Sequence, residues 1–341
     1  MLANELTKET LVLPDAPNIA GLAFRGFRGE ADYPAMLAII EGSKEADGVE
    51  RTDSLEDITR NYQYLTNCDP FQDMLFAEVD GQAISYGRVW WNPVEGGKRI
   101  YNHFNFMLPQ WRGQGIRRAM LHYNERHLRE IAAGHPPDAR CWFEAWAADT
   151  EEDWESLLTS EGYEAVRHGY EMVRPHLNGI PAQPLPEGLE VRPVKPEHIR
   201  PIWEAAKEAF RDSWQYSEEW FTEKSYESWQ KEPSFQPELW QIAWDGDQVA
   251  GMVQNFIHHE ENEEYGRKRG YVEGICVRRP WRRRGLARAL IARSFGVHKD
   301  LGMEEAALGV DTQNQNGALQ LYESMGFRPV KRHSTYHKPL D

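Results

Sequence analysis

Between Tyr271 and Arg288 the chain reads Y-V-E-G-I-C-V-R-R-P-W-R-R-R-G-L-A-R. Six of the eleven residues from Arg278 to Arg288 are arginine, although the whole chain carries 39 Lys+Arg against 54 Asp+Glu, a net charge of -15. Such a cluster in an acidic protein is a local choice. Tyr271–Val277 suits a buried strand, with aromatic, β-branched and sulfur side chains bounded by charge. The chain then turns at Pro280 and enters a helix near Arg284 that runs on through Leu286, Ala289 and Leu290. A strand that ends in an arginine-rich turn and a helix start forms an anion cradle. Free backbone N–H groups and the positive end of the helix dipole face outward, and Gly285 lets a ligand come close to the backbone. The expected ligand is a pyrophosphate; a solvated turn is the plain alternative. A nucleic-acid patch is disfavoured, because no second basic stretch accompanies this one and the sequence pI is near 5.3.

The elements that must carry this turn occur twice. P-Q-W-R-G-Q-G-I-R-R-A-M-L at Pro109–Leu121 parallels R-P-W-R-R-R-G-L-A-R-A-L-I at Arg279–Ile291, so Gly115 and Gly285 correspond at an offset of 285 − 115 = 170 residues. Upstream, A-E-V-D-G-Q-A-I-S-Y-G (Ala77–Gly87) parallels A-W-D-G-D-Q-V-A-G (Ala243–Gly251), each a hairpin with an Asp-Gly turn. Downstream, S-E-G-Y-E-A-V (Ser160–Val166) parallels S-M-G-F-R-P-V (Ser324–Val330), each a helix closed by Gly and followed by a strand. Pro175–Glu190, with four prolines and few apolar residues, has linker composition. The expected layout is a tail over 1–19 with a short edge strand at Leu11–Leu13, a first domain over 20–175, a linker over 176–187 and a second domain over 188–341. Hairpins joined to a strand–helix–strand unit give an α/β fold (α+β, mixed sheet). Each domain is a mixed, mostly antiparallel sheet flanked by helices.

The order strand, R-x-x-G-x-A turn, helix, then N-x-x-G-A-L-x-L-Y-x-x-x-G-F resembles the GNAT superfamily of acyl-CoA-dependent N-acyltransferases. Arg282, Gly285 and Ala287 carry the first motif; Asn314, Gly317, Ala318, Leu321, Tyr322, Gly326 and Phe327 carry the second. The tandem layout resembles the two-domain members to which mycothiol synthase belongs. The resemblance implies an acetyl-CoA pyrophosphate resting on the turn at Arg282, Arg283, Arg284, Gly285, Leu286, Ala287 and Arg288. It implies a pantetheine arm paired with Ile275, Cys276 and Val277, where a backbone N–H would hold the thioester carbonyl. Glu273 matches a frequent general base of the family, and an apolar strand should raise its pKa; otherwise it leans to the surface or pairs with an arginine. Tyr322 matches the family's general acid, or else packs as an aromatic under its helix. Asn314 would hydrogen-bond the pantetheine arm, or serve a loop or N-cap. Cys276 could form an acyl-cysteine, or act as a small apolar strand residue. Asp311 and His298 receive no role.

The first half reads as a damaged copy. Arg117 replaces the small residue Ala287, His103 stands where Glu273 does, Leu158 stands where Tyr322 does, and the Asn motif is absent from Asp149–Trp154. Arg112, Gly113, Gln114 and Gly115 keep a turn that could hold CoA or act structurally. In the second half Trp203, Trp214, Trp220 and Trp229 interleave with glutamates. They form either a cation-attracting pocket or, as favoured here, a helix core backed by a solvated face.

Three widely spaced cysteines, Cys68, Cys141 and Cys276, make neither a disulfide framework nor a metal spacing. No apolar run of membrane length and no signal-peptide core over Met1–Pro14 is present, so a cytoplasmic protein is expected. The expected activity is transfer of an acetyl group from acetyl-CoA to a primary amine of a small cationic molecule, by direct attack, in the second half. No metal, nucleic acid or membrane takes part, and the protein is a monomer or homodimer. The alternatives are a non-catalytic acyl-CoA sensor or scaffold, and an acyltransferase using a protein amine or a longer acyl-CoA.

Overall fold

A computed structural model describes residues 10–94, 97–136 and 140–341; residues 1–9 of the expected tail over 1–19 lie outside them. The strands are β1 (Thr10–Leu11), β2 (Leu22–Arg25), β3 (Met74–Val79), β4 (Gln82–Val94), β5 (Lys98–Met107), β6 (Cys141–Ala148) and β7 (Glu164–Arg174). There follow β8 (Glu190–Val191), β9 (Gln241–Asp245), β10 (Gln248–Phe256), β11 (Arg269–Val277), β12 (Glu305–Asp311) and β13 (Arg328–Pro339). The chain divides into two compact units. Unit 1 holds the residues up to Val166 together with His333–Asp341, and unit 2 is Arg167–Arg332.

Within each unit the strands pair in a mixed arrangement. In unit 1 the order is β1-β2-β3-β4-β5-β6 followed by His333–Pro339 of β13, antiparallel throughout except for the parallel pair β5–β6. In unit 2 the order is β7-β12-β11-β10-β9-β8, antiparallel except for the parallel pair β11–β12. The hairpins form where the dipeptides predict. Asp80 and Gly81 both take positive φ between β3 and β4, as a two-residue type I′ turn requires. In unit 2 the turn shifts by one residue: β9 runs through Asp245, and Gly246 (φ 57°) with Asp247 makes the loop.

The unit boundary differs from the expected one in the Pro-rich segment. Arg167–Arg174 belongs with unit 2 because β7 pairs with β12 from Gly169↔Asp311 to Arg174↔Ala306. His333–Asp341 belongs with unit 1 because β13 pairs with β6 from His333↔Ala148 to Pro339↔Trp142. Side chains lock both exchanges. In unit 1 Lys338 Nζ donates to both oxygens of buried Glu125 at 2.7 and 3.0 Å, and Tyr336 donates to Glu155 at 2.6 Å. In unit 2 Arg167 clamps Asp311 through two N–H donors, at 2.9 and 2.5 Å.

The helix that follows the arginine turn, Leu286–Asp300, buries Leu286, Ala289, Leu290 and Phe295 at helical spacing against β9, β10 and β11. Each fully buried Leu or Phe there is worth about 1.5–3 kcal/mol. Trp203 is buried and Trp229 packs against a second apolar cluster of unit 2, with their rings 5.0 Å apart, as the core reading expects. Trp214 and Trp220 do not; both are exposed, and Trp214 lies over the Arg167 guanidinium.

Candidate active site

In unit 2, β11 is bent by a β-bulge. It pairs with β10 at Met252↔Cys276 and again at Gln254↔Glu273, so two residues, Gly274 and Ile275, face Val253 alone. Gly274 takes φ 58°, and a Cβ there would lie 2.5 Å from Gln254 Oε1, so the bulge requires glycine. The parallel pairing of β11 with β12 runs from Arg269↔Glu305 to Tyr271↔Ala307 and stops below the bulge. Past it β12 stays paired with β7 as far as Asp311, which opens a wedge between β11 and β12.

A cavity of about 670 Å3 lies against this edge. Ile275, Cys276, Val277, Arg282, Arg283, Gly285, Leu286, Ala287, Arg288, Asn314 and Tyr322 all line it. Two of the expected residues do not: Arg284 donates to Glu187 O at 3.0 Å, and Glu273 turns toward β12. Gly285 is the left-handed N-cap of its helix (φ 85°), with nothing within 4 Å of where a Cβ would stand. The first N–H groups of that helix have no intrahelical acceptor.

The arginines divide by partner. Arg278 pairs with Glu208, Arg279 and Arg282 share Asp212, and Arg282 also donates to Val277 O at 2.9 Å. The two guanidinium groups hold the Asp212 carboxyl down at about 2. Arg282 therefore ties the strand end to the Ile199–Phe210 helix and its following turn while lining the cavity. Arg283 and Arg288 are exposed and make no side-chain hydrogen bond or ion pair with the described residues. They are the exposed positive charge at the cradle.

Glu273 and Tyr322 are close enough to influence each other electrostatically. The Glu273 carboxylate accepts the Gly309 N–H at 2.7 Å across the wedge. Burial pushes its pKa up to about 7, the Gly309 hydrogen bond opposes this, and the neighbouring Glu171 adds to it. Tyr322 is buried, and its phenol is pushed well above its usual value by burial, with Glu273 and Cys276 contributing. Burial also pushes the Cys276 thiol up to about 12, which leaves it a protonated strand residue of the apolar core. Asn314 Oδ1 accepts from Asn316 N at 2.9 Å within the loop, and the residue lines the cavity. His298 is buried against Gly270 and bonds Tyr271 O. Among the described residues no cluster of His, Cys, Asp or Glu is placed to hold a metal, and no helix is long and apolar enough to cross a membrane.

The counterpart surface of unit 1 is built differently. β4 and β5 pair without a slip from Ser85↔Met107 to Val94↔Lys98. His103 is fully buried and bonds the Tyr163 hydroxyl at 2.7 Å; burial drives its pKa down to about 3. Arg117 is buried, stacks 4.2 Å from the Trp154 ring and donates to Asn105 O at 2.6 Å. Asn105 corresponds to Ile275 at the 170-residue offset, so this guanidinium occupies the strand edge that unit 2 leaves open. Pro17 lies 3.8 Å from where a Cβ on Gly115 would stand, and so covers the helix start.

Sequence reasoning missed the bulge, the Gly309 clamp, Asp212 and Glu171. A glycine inside a strand, as in E-G-I, was a signal for the bulge. Glu171 left no signal, because nothing in the sequence marks the strand exchange.

Residues 200–327, which include the bulged strand, the cradle and Tyr322, match the family model "Acetyltransferase (GNAT) family". The protein carries a GNAT-family domain over these residues. It is an acyltransferase of the GNAT type, and acetyl-CoA is the family's acyl donor. The chain is similar to a mycothiol acetyltransferase of Geodermatophilus obscurus, at 27% identity over 304 residues, 87% of this chain and 91% of that one. A GCN5-related N-acetyltransferase from Sphaerobacter thermophilus superposes with a TM-score of 0.70 at 26% identity, covering 96% of this chain and 97% of that one. A tandem GNAT protein from the clavulanic acid biosynthesis pathway shares the fold, with a TM-score of 0.65 at 13% identity over 94% of this chain and 99% of that one.

Proposed function

We propose that the protein is an acetyl-CoA-dependent N-acetyltransferase that acetylates a primary amine of a small cationic molecule in unit 2 by direct transfer. One observation carries the reading: a carboxyl raised to about 7 and a buried phenol flank the bulged strand beside an open cradle. The residues present fit the donor. Arg283, Arg288 and the free N–H groups at Gly285–Arg288 suit a pyrophosphate, and the unpaired edge of Ile275–Val277 suits an extended amide-bearing arm.

Each residue then has a task. Ionised Glu273 takes a proton from the acceptor ammonium, directly or through water, so that the amine can attack the thioester carbonyl. A backbone N–H of the bulge holds that carbonyl oxygen. Tyr322 gives its proton to the leaving sulfur; the raised phenol keeps that proton until the thiolate develops. A protonated Cys276 supports transfer without an acyl-cysteine. The net charge of -15 raises the local concentration of cationic amines.

The test is thiol release from acetyl-CoA across a panel of primary amines, with aminosugars, polyamines and the acceptor of the mycothiol-named relatives included. Release that depends on the amine, with N-acetylated product by mass spectrometry, is the expected result. Tight acetyl-CoA binding with no release for any amine would return the protein to the sensor reading.

A further inference from the structure

The strand exchanged into unit 2 carries a second carboxylate to the wedge. Glu171 on β7 is the Cα partner of Gly309 on β12, and Gly309 is the residue whose N–H holds Glu273. Gly309 is exposed beyond the point where β11 and β12 cease to pair, so it forms the floor of an open groove with one carboxylate on either side. A Cβ on Gly309 would meet Glu273 Oε1 at 3.7 Å, which shows that Glu273 lies over the same face. Glu171 is only loosely held. Arg269 reaches its Oε1 at 3.4 Å but bonds Glu305 more closely at 2.7 Å, and Glu171 Oε2 has no partner among the described residues.

Unit 1 supplies the control within the same chain. Its parallel pair starts at Arg99↔Cys141 as that of unit 2 starts at Arg269↔Glu305, so Ala145 stands for Gly309. Ala145 pairs with Tyr336, which therefore stands for Glu171, and His103 stands for Glu273. All three are buried, and the Tyr336 hydroxyl donates a hydrogen bond to Glu155. The groove that unit 1 fills with neutral side chains, unit 2 keeps open and lines with two carboxylates.

We propose that Glu171 is an acceptor-binding residue, holding the acceptor ammonium together with Glu273 across the exposed Gly309. The ligand class is a primary ammonium with room for N–H bonds to two carboxylates. After Glu273 takes one proton, Glu171 still holds the neutral amine through an N–H. The inference rests on the acetyltransferase reading of unit 2.

The groups facing Glu273 are few. Glu171 comes from β7 and Tyr322 from the Ala318–Ser324 helix; β12 offers the Gly309 N–H and β10 the neutral Gln254. Asp311 is neutralised by Arg167. Removing the Glu171 charge therefore leaves Glu273 easier to ionise.

The experiment is steady-state kinetics of the full chain with an active amine, comparing Glu171→Gln, Glu171→Asp and Glu273→Gln. Glu171→Gln should raise the acceptor KM roughly ten-fold or more. It should leave the acetyl-CoA KM unchanged and move the acid limb of kcat/KM to lower pH. Glu171→Asp, which keeps the charge, should restore much of the acceptor affinity and serves alone if the glutamine variant does not fold. An unchanged acceptor KM with an unchanged acid limb, or equal losses for both substrates, overturns the inference while leaving the unit 2 site intact. Full activity in Glu273→Gln overturns the underlying reading instead.

Discussion

The two units keep one frame and differ in whether it is open. In unit 1 Arg112 clamps Asp47 through two bonds, at 2.6 and 2.9 Å, and caps Met107 O at 3.0 Å. In unit 2 Arg282 binds Asp212 and caps Val277 O, the counterpart carbonyl, at 2.9 Å. Both helices after the turn start at a left-handed glycine, Gly115 at φ 86° and Gly285 at φ 85°. The latch and the helix start therefore belong to the fold rather than to chemistry. What separates the units is local: a bulge at Gly274 against an unbroken ladder, Ala287 against Arg117, an open Gly285 against one covered by Pro17, and Glu273 against a neutral, buried His103. A sheet opens for a ligand only where its pairing is interrupted, and one extra residue is enough to interrupt it.

The sharpest division concerns proton transfer. Tyr322→Phe should lower kcat by about 10²- to 10⁴-fold, the range of a positioned acid, with little change in the acetyl-CoA KM. His103→Gln in unit 1 should leave the acetyl-CoA KM and kcat of the folded protein near wild type. Rapid-mix thiol release measures both. A Tyr322→Phe enzyme that loses affinity as much as turnover would make the phenol a packing residue, as Leu158 is in unit 1.

The bulge comes next. Gly274→Ala puts a Cβ at φ 58° and within 2.5 Å of Gln254 Oε1. The strain should cost about 1–3 kcal/mol, read as a lower melting temperature. If β11 instead relaxes into a regular ladder like β5, thiol release should fall far more than stability does. A fully active Gly274→Ala protein would show that the wedge does not depend on the bulge.

Much of this was legible in the sequence, for stated physical reasons. Spacing placed the cradle because glycine at Gly285, arginines around it and a helix behind it obey local rules. The duplication was legible because both copies must satisfy the same latch and turn. The domain boundary was not. Pro175–Glu190 has linker composition, yet whether the strand before it pairs with β6 or β12 depends on long-range register, which composition does not encode. The use of each arginine was also hidden. Arg282, Arg283 and Arg284 are alike in sequence, and only the placement of Asp212 and Glu187 tells the latched from the free.

That division of arginines predicts a smaller effect. Arg283→Ala with Arg288→Ala should raise the acetyl-CoA KM roughly ten-fold with kcat nearly unchanged, because exposed charges contribute about 1 kcal/mol or a little more to a charge-assisted contact. The matching pair in unit 1, Gly113→Ala with Arg118→Ala, should not change the acetyl-CoA KM. A kcat loss in the unit 2 double variant would mean that these side chains orient the thioester as well as attract the pyrophosphate.

The smallest effect belongs to Arg117. Its guanidinium is buried with Nε and Nη1 lacking hydrogen-bond partners, and burial draws its pKa down to about 10. A charge placed there has one carbonyl and one indole face as direct partners, and these, with the through-space pull of Glu151, Asp47 and Asp153, do not make up for lost hydration. Arg117→Met, similar in reach and uncharged, should leave the melting temperature unchanged or raise it, and leave turnover intact. Calorimetry should find one acetyl-CoA per chain in the wild type, since both Arg117 and Pro17 close unit 1. One per chain should remain in Arg117→Met, because Pro17 still covers Gly115. Two per chain in the wild type would break the contrast between the units outright. Two per chain only in the variant would sharpen it, making Arg117 the sole plug and reducing Pro17 to a neighbour that acetyl-CoA can displace.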